Sequence, residues 1–273
     1  VPRPTSVTFT THGAAYETAA TGQFNDPATW ADGAVPKGEV ANIKINQGHR
    51  VTVYHDLKIT KTYKITENKG ALRISQQGQL INETNDNVPG IVEIESVTKN
   101  MKKWSFVGAP FEDYKLEVVM PYSNSDVAMV EFDYTTGNWS TNWATINTPI
   151  GRGEGVFAWP FMDATMTFTT YGDIEFGVDY TYTGTADYNL NNDETFEVIG
   201  AGDWMALANP YPAKLNVSKF LGNNAGLQGT TIYGWNGSWF DIATQGDVKM
   251  TEGFFVNVSD LENKKVTFRK DQM

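Results

Sequence analysis

Short alternations of apolar and polar residues dominate the first third of the chain. Apolar residues separated by one other residue recur from Ala41 onward, and Gly, Asn or Lys turns separate the pairs. Such runs are typical of β-strands and are too short for helices. The apolar positions are Ile43/Ile45, Val51/Val53, Leu57/Ile59, Tyr63/Ile65, Leu72/Ile74 and Leu80.

These runs repeat when they are taken in threes, with a period of ~20–23 residues that indicates one three-stranded turn of a parallel β-helix. The corresponding positions are 43 and 63, 51 and 72, and 57 and 80. Val92 and Ile94 begin a third turn, and a turn-rich segment with a buried Trp30 is expected to cap the first one. Residues 7–10 are a candidate edge strand. A meander of ordinary hairpins is the alternative fold.

The remaining two thirds of the chain contain two copies of one pattern, offset by 100 residues. Trp104 opens the run Trp-Ser-Phe-Val-Gly-Ala-Pro-Phe, and Trp204 opens Trp-Met-Ala-Leu-Ala-Asn-Pro-Tyr-Pro. Further matches follow in the same order: Pro110 with Pro210, 137–139 with 237–239, 154–157 with 252–255 after a slip of two residues, and 166–168 with 266–268. Several anchors in one order indicate a tandem duplication.

Each copy is predicted to supply about five antiparallel strands, within the usual size of a sheet. The clearest hairpin signal is Asn236-Gly237 between aromatic strands. The other predicted strands are 104–109, 129–134, one that starts at 139, 155–159 and 166–170 in the first copy, and 253–258 and 265–269 in the second.

The predicted fold class is therefore all-β. We expect a short N-terminal parallel β-helix-like region over residues 1–100, a β-sandwich repeat over 101–200 and a second one over 201–273. The two copies are alternatively halves of one larger sandwich related by a pseudo-twofold axis. Because the second copy stops directly after its last strand, we expect the natural chain to continue beyond Met273.

Charge is unevenly distributed along the chain. Residues 1–103 contain 12 basic and 10 acidic side chains, whereas residues 104–273 contain 9 and 22, which gives the duplicated part a net charge of −13. Such a surface repels nucleic acid, so we predict no nucleic-acid partner. The chain contains no Cys, and its sequence has no apolar run that could span a bilayer.

Candidate catalytic groups are scarce. The three histidines, His12, His49 and His55, all precede the duplicated part, which therefore lacks the imidazole of a histidine-based triad or metal site. No pair of carboxylates is marked out for glycoside hydrolysis. The loop 189–194 is rich in oxygen ligands but lacks the spacing of a calcium loop. We predict no catalytic residue, no metal and no cofactor.

Tryptophans in or beside the two hairpins are the best candidates for binding. Aromatic faces stack on the C–H faces of sugars while nearby amides hydrogen-bond to the hydroxyls. The candidate ligand-binding residues are Trp139, Trp143, Trp235, Asn236 and Trp239. The alternative is that these rings are core residues or cross-strand pairs.

The second copy resembles a pattern in large surface-exposed proteins of Bacteroidetes. In those proteins a Trp-led strand that ends in Asn-Pro-Tyr-Pro precedes a Tyr-x-Trp-Asn-Gly hairpin and a Gly-Phe-Phe-Val strand, as from Trp204 to Val256 here. The opening, with residues 26–30 and the Ile/Val runs, is similar to their β-helical openings. The first copy departs from the pattern, since Ala109 replaces Asn and the second Pro is missing.

This resemblance implies secretion, often by the type IX route, and display on the cell surface. We therefore expect a non-enzymatic module of a secreted bacterial surface protein that serves adhesion or glycan binding. A structural spacer within a larger surface protein is the second expectation, and a carbohydrate-active enzyme or accessory domain is the third.

Overall fold

The structure is a computed structural model, and it bears out the predicted fold class: a β-solenoid of three turns is followed by antiparallel sheets. It describes residues 14–84, 86–95, 104–108, 110, 114–115, 127–133, 138–140, 149–160, 181–184, 194–197, 203–227, 229–242, 246–261 and 265–273. The candidate edge strand 7–10, the predicted strand 166–170 and the loop 189–193 lie outside these residues.

Within the described part of the chain, nine strands build the solenoid. They are β1 Ala14–Glu17, β2 Gly22–Gln23, β3 Ala41–Ile45, β4 Arg50–Val53, β5 Asp56–Ile59, β6 Tyr63–Asn68, β7 Ala71–Ile74, β8 Gln79–Asn82 and β9 Ile91–Glu95. They form three parallel ladders, in the orders β1-β3-β6, β2-β4-β7-β9 and β5-β8. Strand β9 starts a further turn, as predicted, so the parallel β-helix is confirmed and the hairpin meander is not formed.

The ladder follows the apolar repeat of the sequence, because each turn returns an apolar side chain to the same inward position. Val51 lies beside Leu72, and Leu57 lies beside Leu80, as their spacing predicts. In the first ladder Tyr63 pairs with Ala41, so the register differs by two residues from the predicted one. Ile43 therefore lies beside Ile65, and the predicted match of residue 43 with residue 63 is wrong by two residues. The register also shifts after Ile43.

The cap of the first turn also forms as predicted. Trp30 is 2% exposed, and its indole N–H donates to the Phe24 carbonyl at 2.8 Å. The rings of Phe24 and Tyr16 contact Trp30 edge-on. Burial of one large ring therefore closes this end of the solenoid core.

The two copies consist of short strands. The first contains β10 Ser105–Gly108, β11 Tyr114–Lys115, β12 Val127–Val130, β13 Phe132–Asp133, β14 Asn138–Trp139, β15 Pro149–Ile150 and β16 Gly155–Pro160. Between the copies lie β17 Thr181–Gly184 and β18 Glu194–Glu197. The second contains β19 Trp204–Ala208, β20 Leu215–Asn216, helix α1 Val217–Asn223, β21 Ile232–Trp235, β22 Trp239–Asp241, β23 Asp247–Val248, β24 Gly253–Asn257 and β25 Lys265–Phe268.

Both copies have the same topology. In the first, β16 pairs antiparallel with β10 and β12, β11 pairs with β15, and β13 pairs with β14. In the second, β24 pairs with β19 and β21, β20 pairs with β23, and β21 pairs with β22. The equivalent strands occur in the same order along the chain, so their pairing supports the duplication inferred from sequence.

The sheets stack in layers on the solenoid. Val107 and Val156 of the first copy join the solenoid core, whereas Phe106 and Phe157 on the opposite face pack in an aromatic cluster with Ala206 of the second copy. The far face of the second sheet packs on helix α1 through Phe220, which is fully buried. Whether the copies are separate domains or halves of one larger sandwich stays a prediction, as do the domain boundaries.

Reciprocal backbone contacts relate the two copies by a pseudo-twofold axis. Val107 forms a β-bridge with Glu252, and Leu207, its equivalent, forms one with Glu154. The Gly108 N–H donates to the Thr251 carbonyl at 3.1 Å, and the Ala208 N–H donates to the Gly153 carbonyl at 2.7 Å. Each contact thus occurs twice with the roles exchanged, as in an isologous dimer interface.

The loop 209–213, which contains Asn-Pro-Tyr-Pro, joins all three parts of the molecule. Fully buried Asn209 donates to the carbonyls of Ala213, Val248 and Lys249, and its side-chain oxygen accepts from the Tyr211 N–H. The other partners are the Arg152 Nε of the first copy, which donates to the Pro210 carbonyl at 3.2 Å, and the Leu80 N–H of the solenoid, which donates to the Pro212 carbonyl at 2.8 Å. The motif therefore has a structural role.

Strands β17 and β18 connect different layers. Strand β17 pairs antiparallel with β9 at the open edge of the solenoid sheet, and β18 pairs with β25 of the second copy. Helix α1 was not predicted; its N-cap is Asn216, whose side chain accepts from the Lys219 N–H at 2.9 Å. Among the described residues, no helix is long and apolar enough to cross a membrane.

Candidate functional site

The two hairpins position the predicted tryptophans. Trp139 on β14 lies opposite Phe132, and Trp239 on β22 lies opposite Trp235. The turn of the second hairpin requires glycine, because Gly237 has a φ of +109°. Trp139, Trp235 and Trp239, three of the five predicted residues, are therefore members of cross-strand aromatic pairs, as the alternative interpretation expects.

These rings also converge on one concave surface, which we call the aromatic cup. It is a depression of about 320 Å³ lined by Trp104, Val130, Trp139, Phe157, Trp235 and Trp239. The first four belong to the first copy and the last two to the second. The cup therefore exists only because the two copies pack against each other.

Phe157 forms the floor of the aromatic cup. Its ring centroid lies 6.0 Å from Trp104, 4.7 Å from Trp139, 5.6 Å from Trp235 and 5.8 Å from Trp239. The four indoles stand at 66° to 86° to the floor ring. They therefore surround the floor as steep walls and do not stack flat on it.

The walls differ in how far they are fixed by the protein. The Trp235 indole N–H donates to the Trp104 carbonyl at 2.9 Å, which ties the second copy to the first. Trp239 is 44% exposed at the rim, an unusual amount for a large apolar side chain. Trp139 and Trp235 are half-buried. The cup thus combines a fixed interior with an accessible rim.

The other predicted residues lie apart from the cup or outside the described part of the chain. Asn236 is exposed in the hairpin turn, and its side-chain oxygen lies 3.4 Å from the Ser238 N–H and hydroxyl. It does not line the cup. Trp143 lies outside the described residues.

Sequence reasoning missed Trp104, Val130 and Phe157 as lining residues. The alternation in β10 already placed Trp104 on one face with Phe106, and the duplication marked Phe157 as an anchor. The sequence does not reveal how the copies pack, and this packing brings the three positions from separate strands to one place.

The equivalent position in the second copy has a different ring arrangement. There Trp204 lies flat on Phe255, with an interplanar angle of 7° and a centroid distance of 5.1 Å. Tyr233, which occupies the place of Val130, lies 5.9 Å from Trp204. The second copy therefore packs two rings where the first has Trp104 and Val130.

Two carboxyls near the interface have altered acidity. Desolvation raises the pKa of Glu154 above its usual range. The hydrogen bond that its carboxylate accepts from the Gly151 N–H lowers the pKa, and the charge of the nearby Glu131 raises it. Burial also raises the pKa of Glu131. Neither residue lines the aromatic cup, and Glu154 closes the turn 151–154 as Glu252 closes the turn 249–252.

A second, larger depression of about 600 Å³ lies on the solenoid. His55 is in its lining, and burial lowers the pKa of this histidine while its Nδ1 lies 3.2 Å from the Asn25 amide. His49 instead lies 2.8 Å from the Thr18 hydroxyl. Charged and polar side chains dominate this surface, and no group of three potential metal ligands occurs within the described ranges.

Fold and site together define a β-solenoid joined to a duplicated antiparallel unit that carries an aromatic cup at its pseudo-twofold interface. The chain belongs to the family described as Domain of unknown function (DUF8693), whose model matches residues 25–248. The match starts in the first turn of the solenoid and ends in the second copy. No curated protein and no solved structure matches the chain.

Proposed function

We propose that the chain is a non-enzymatic module of a secreted bacterial surface protein and that its aromatic cup binds a glycan. The observation that carries this proposal is the convergence of four indoles and Phe157 on one concave surface. Sugar rings have C–H faces that stack on aromatic rings, and the exposed ring of Trp239 at the rim is available for such a contact.

The likeness to surface proteins of Bacteroidetes supports the location. The Trp-led strand, the Asn-Pro-Tyr-Pro loop and the Gly-Phe-Phe-Val strand carry that likeness, and the extracellular location follows from it as part of the proposal. The excess of acidic residues in the duplicated part favours neutral glycans over acidic ones, because like charges repel.

A structural spacer is the second candidate. Solenoid, first sheet, second sheet and helix α1 share contacts from layer to layer, and the loop 209–213 fastens them together. A rod of this kind holds a partner domain at a fixed distance without a ligand. A spacer function gives no reason for the exposure of the Trp239 ring, and so the binding function is preferred.

Glycan arrays test the proposal with two variants that remove one exposed ring each. Trp239→Ala should weaken glycan binding about tenfold or more, because stacking on the rim is lost. Tyr54→Ala is the matched control, since Tyr54 is 47% exposed on the solenoid and lies outside the cup. Absence of binding by the unaltered protein, or equal binding by both variants, would favour the spacer.

A further inference from the structure

The interior of the aromatic cup is poor in hydrogen-bonding groups. Five of its six lining residues are aromatic and the sixth is Val130. The indole N–H of Trp235 is already bonded to the Trp104 carbonyl. A sugar hydroxyl driven into this interior would lose its bonds to water, at a cost of about 1–3 kcal/mol for each unpaired group.

A glycan can therefore stack on the rim, but the floor suits a chemical group that makes no hydrogen bonds. The faces of aromatic rings carry negative electrostatic potential, and a cation within ~6 Å of a ring centroid is attracted to it, most strongly by Trp. The floor ring of Phe157 has four indole centroids within 6.0 Å. A cation seated above the floor thus lies near several rings at once.

Charge in the surroundings also favours a cation. No Lys or Arg is among the described lining residues, so none of these side chains competes for the ring faces. The duplicated part has a net charge of −13, which attracts cations over a distance of several ångströms. A primary ammonium is a poor occupant, because its three N–H donors would be unpaired inside the cup.

We propose that the interior of the aromatic cup binds a quaternary ammonium group of the choline type. Its positive charge is spread over methyl groups that need no hydrogen bonds, and aromatic cages recognise such groups by cation–π attraction. The inference rests on the proposed binding function of the cup and names the group that its interior takes, while the rim contacts the molecule that bears this group.

The second copy provides the variant that tests this inference. Val130→Tyr introduces the residue type that stands at the equivalent position, Tyr233, and should narrow the cup, because Val130 lines it and the larger ring takes up part of its volume. Choline binding, followed by calorimetry and by the fluorescence of the cup tryptophans, should weaken at least tenfold. Tyr54→Ala should bind choline like the unaltered protein.

Ligand analogues separate charge from shape. 3,3-Dimethylbutanol, the neutral isostere of choline, and ethanolamine, its primary ammonium analogue, should each bind at least tenfold more weakly than choline. Trp239→Phe keeps a ring at the rim but has a weaker quadrupole, so it should weaken choline more than the isostere. This second variant keeps the test valid if Val130→Tyr does not fold.

Equal affinity for choline and its neutral isostere would overturn the inference, as would the absence of choline binding. Neutral glycans that bind while choline does not would overturn this inference alone. Choline binding without any glycan binding would support it and contradict the glycan function. Vesicles of phosphatidylcholine, compared with soluble phosphocholine, show whether the group is taken from a lipid surface or from a free molecule.

Discussion

The two copies of the duplicated unit have the same topology, but their aromatic rings pack differently at equivalent positions. In the first copy Trp104 stands at 80° to Phe157, whereas in the second Trp204 lies at 7° on Phe255. The difference coincides with one change of side-chain size, Val130 against Tyr233. Duplication therefore supplies two frameworks, and the side chains decide how the rings pack on each.

The copies also differ in how they are held. Only the second has the Asn-Pro-Tyr-Pro loop, and that loop contacts both other parts of the molecule. The first copy is held instead between two neighbours, with Val107 in the solenoid core and Phe106 in the interface cluster. One copy thus acts as the middle layer and the other as the clamp.

Asn209→Ala should have the largest effect, because it breaks the clamp that only the second copy has. It removes the side-chain partner of three carbonyls, two of them in buried hydrogen bonds, and of the buried Tyr211 N–H, and we expect a loss of about 3 kcal/mol in the free energy of unfolding. Denaturant unfolding measures it. Asn216→Ala, which removes only the N-cap of α1, should lose about 1 kcal/mol. Equal losses would contradict the role assigned to the loop.

Gly108→Ala, which adds a methyl group at the contact across the pseudo-twofold axis, should have the next largest effect on the free energy of unfolding. A Cβ at Gly108 would overlap the Cβ of Ala208 and the Glu154 carbonyl, so Gly108→Ala should cost about 2 kcal/mol by overpacking. Combining it with Ala208→Gly removes the overlap of the two methyl groups but not the overlap with the Glu154 carbonyl, so the double variant should recover only part of that loss. Additive losses in this double-mutant cycle would show that the two positions do not face each other.

The solenoid could be predicted from sequence because its packing repeats locally. Val51, Leu72 and Val92 occupy one inward column, and the spacing of the apolar runs reveals that column without tertiary information. The hairpin around Gly237 was predicted for the same reason, since its turn chemistry lies within a few residues.

The aromatic cup required long-range packing that no local pattern contains. Trp235 lies 131 residues from Trp104, the residue to which it donates, and only the pseudo-twofold interface brings them together. Helix α1 was not predicted because its seven residues are too few to show a repeated helical spacing of apolar positions. Its one signal, Asn216 before Val217 and Phe220, resembles an ordinary polar loop with two apolar residues.

Thr251→Gly should have the smallest effect, and its sign tests the comparison of the two copies most finely. Thr251 has a φ of +59°, is fully buried, and its hydroxyl has no hydrogen-bond partner among the described residues. Its equivalent, Gly153, has a φ of +77° in a turn of the same form. A left-handed β-branched residue costs about 1–2 kcal/mol, as does an unpaired buried hydroxyl.

Glycine removes both costs but gives up a buried methyl and constrains a more flexible chain, each by about 1 kcal/mol. We therefore expect Thr251→Gly to raise the free energy of unfolding by about 1 kcal/mol, which corresponds to a rise of about 2–4 °C in Tm. The reciprocal change, Gly153→Thr, should lower stability, because it brings the same strain to the first copy. If both variants lost stability equally, methyl burial rather than backbone strain would dominate at Thr251, and the two turns would not be interchangeable despite their shared form.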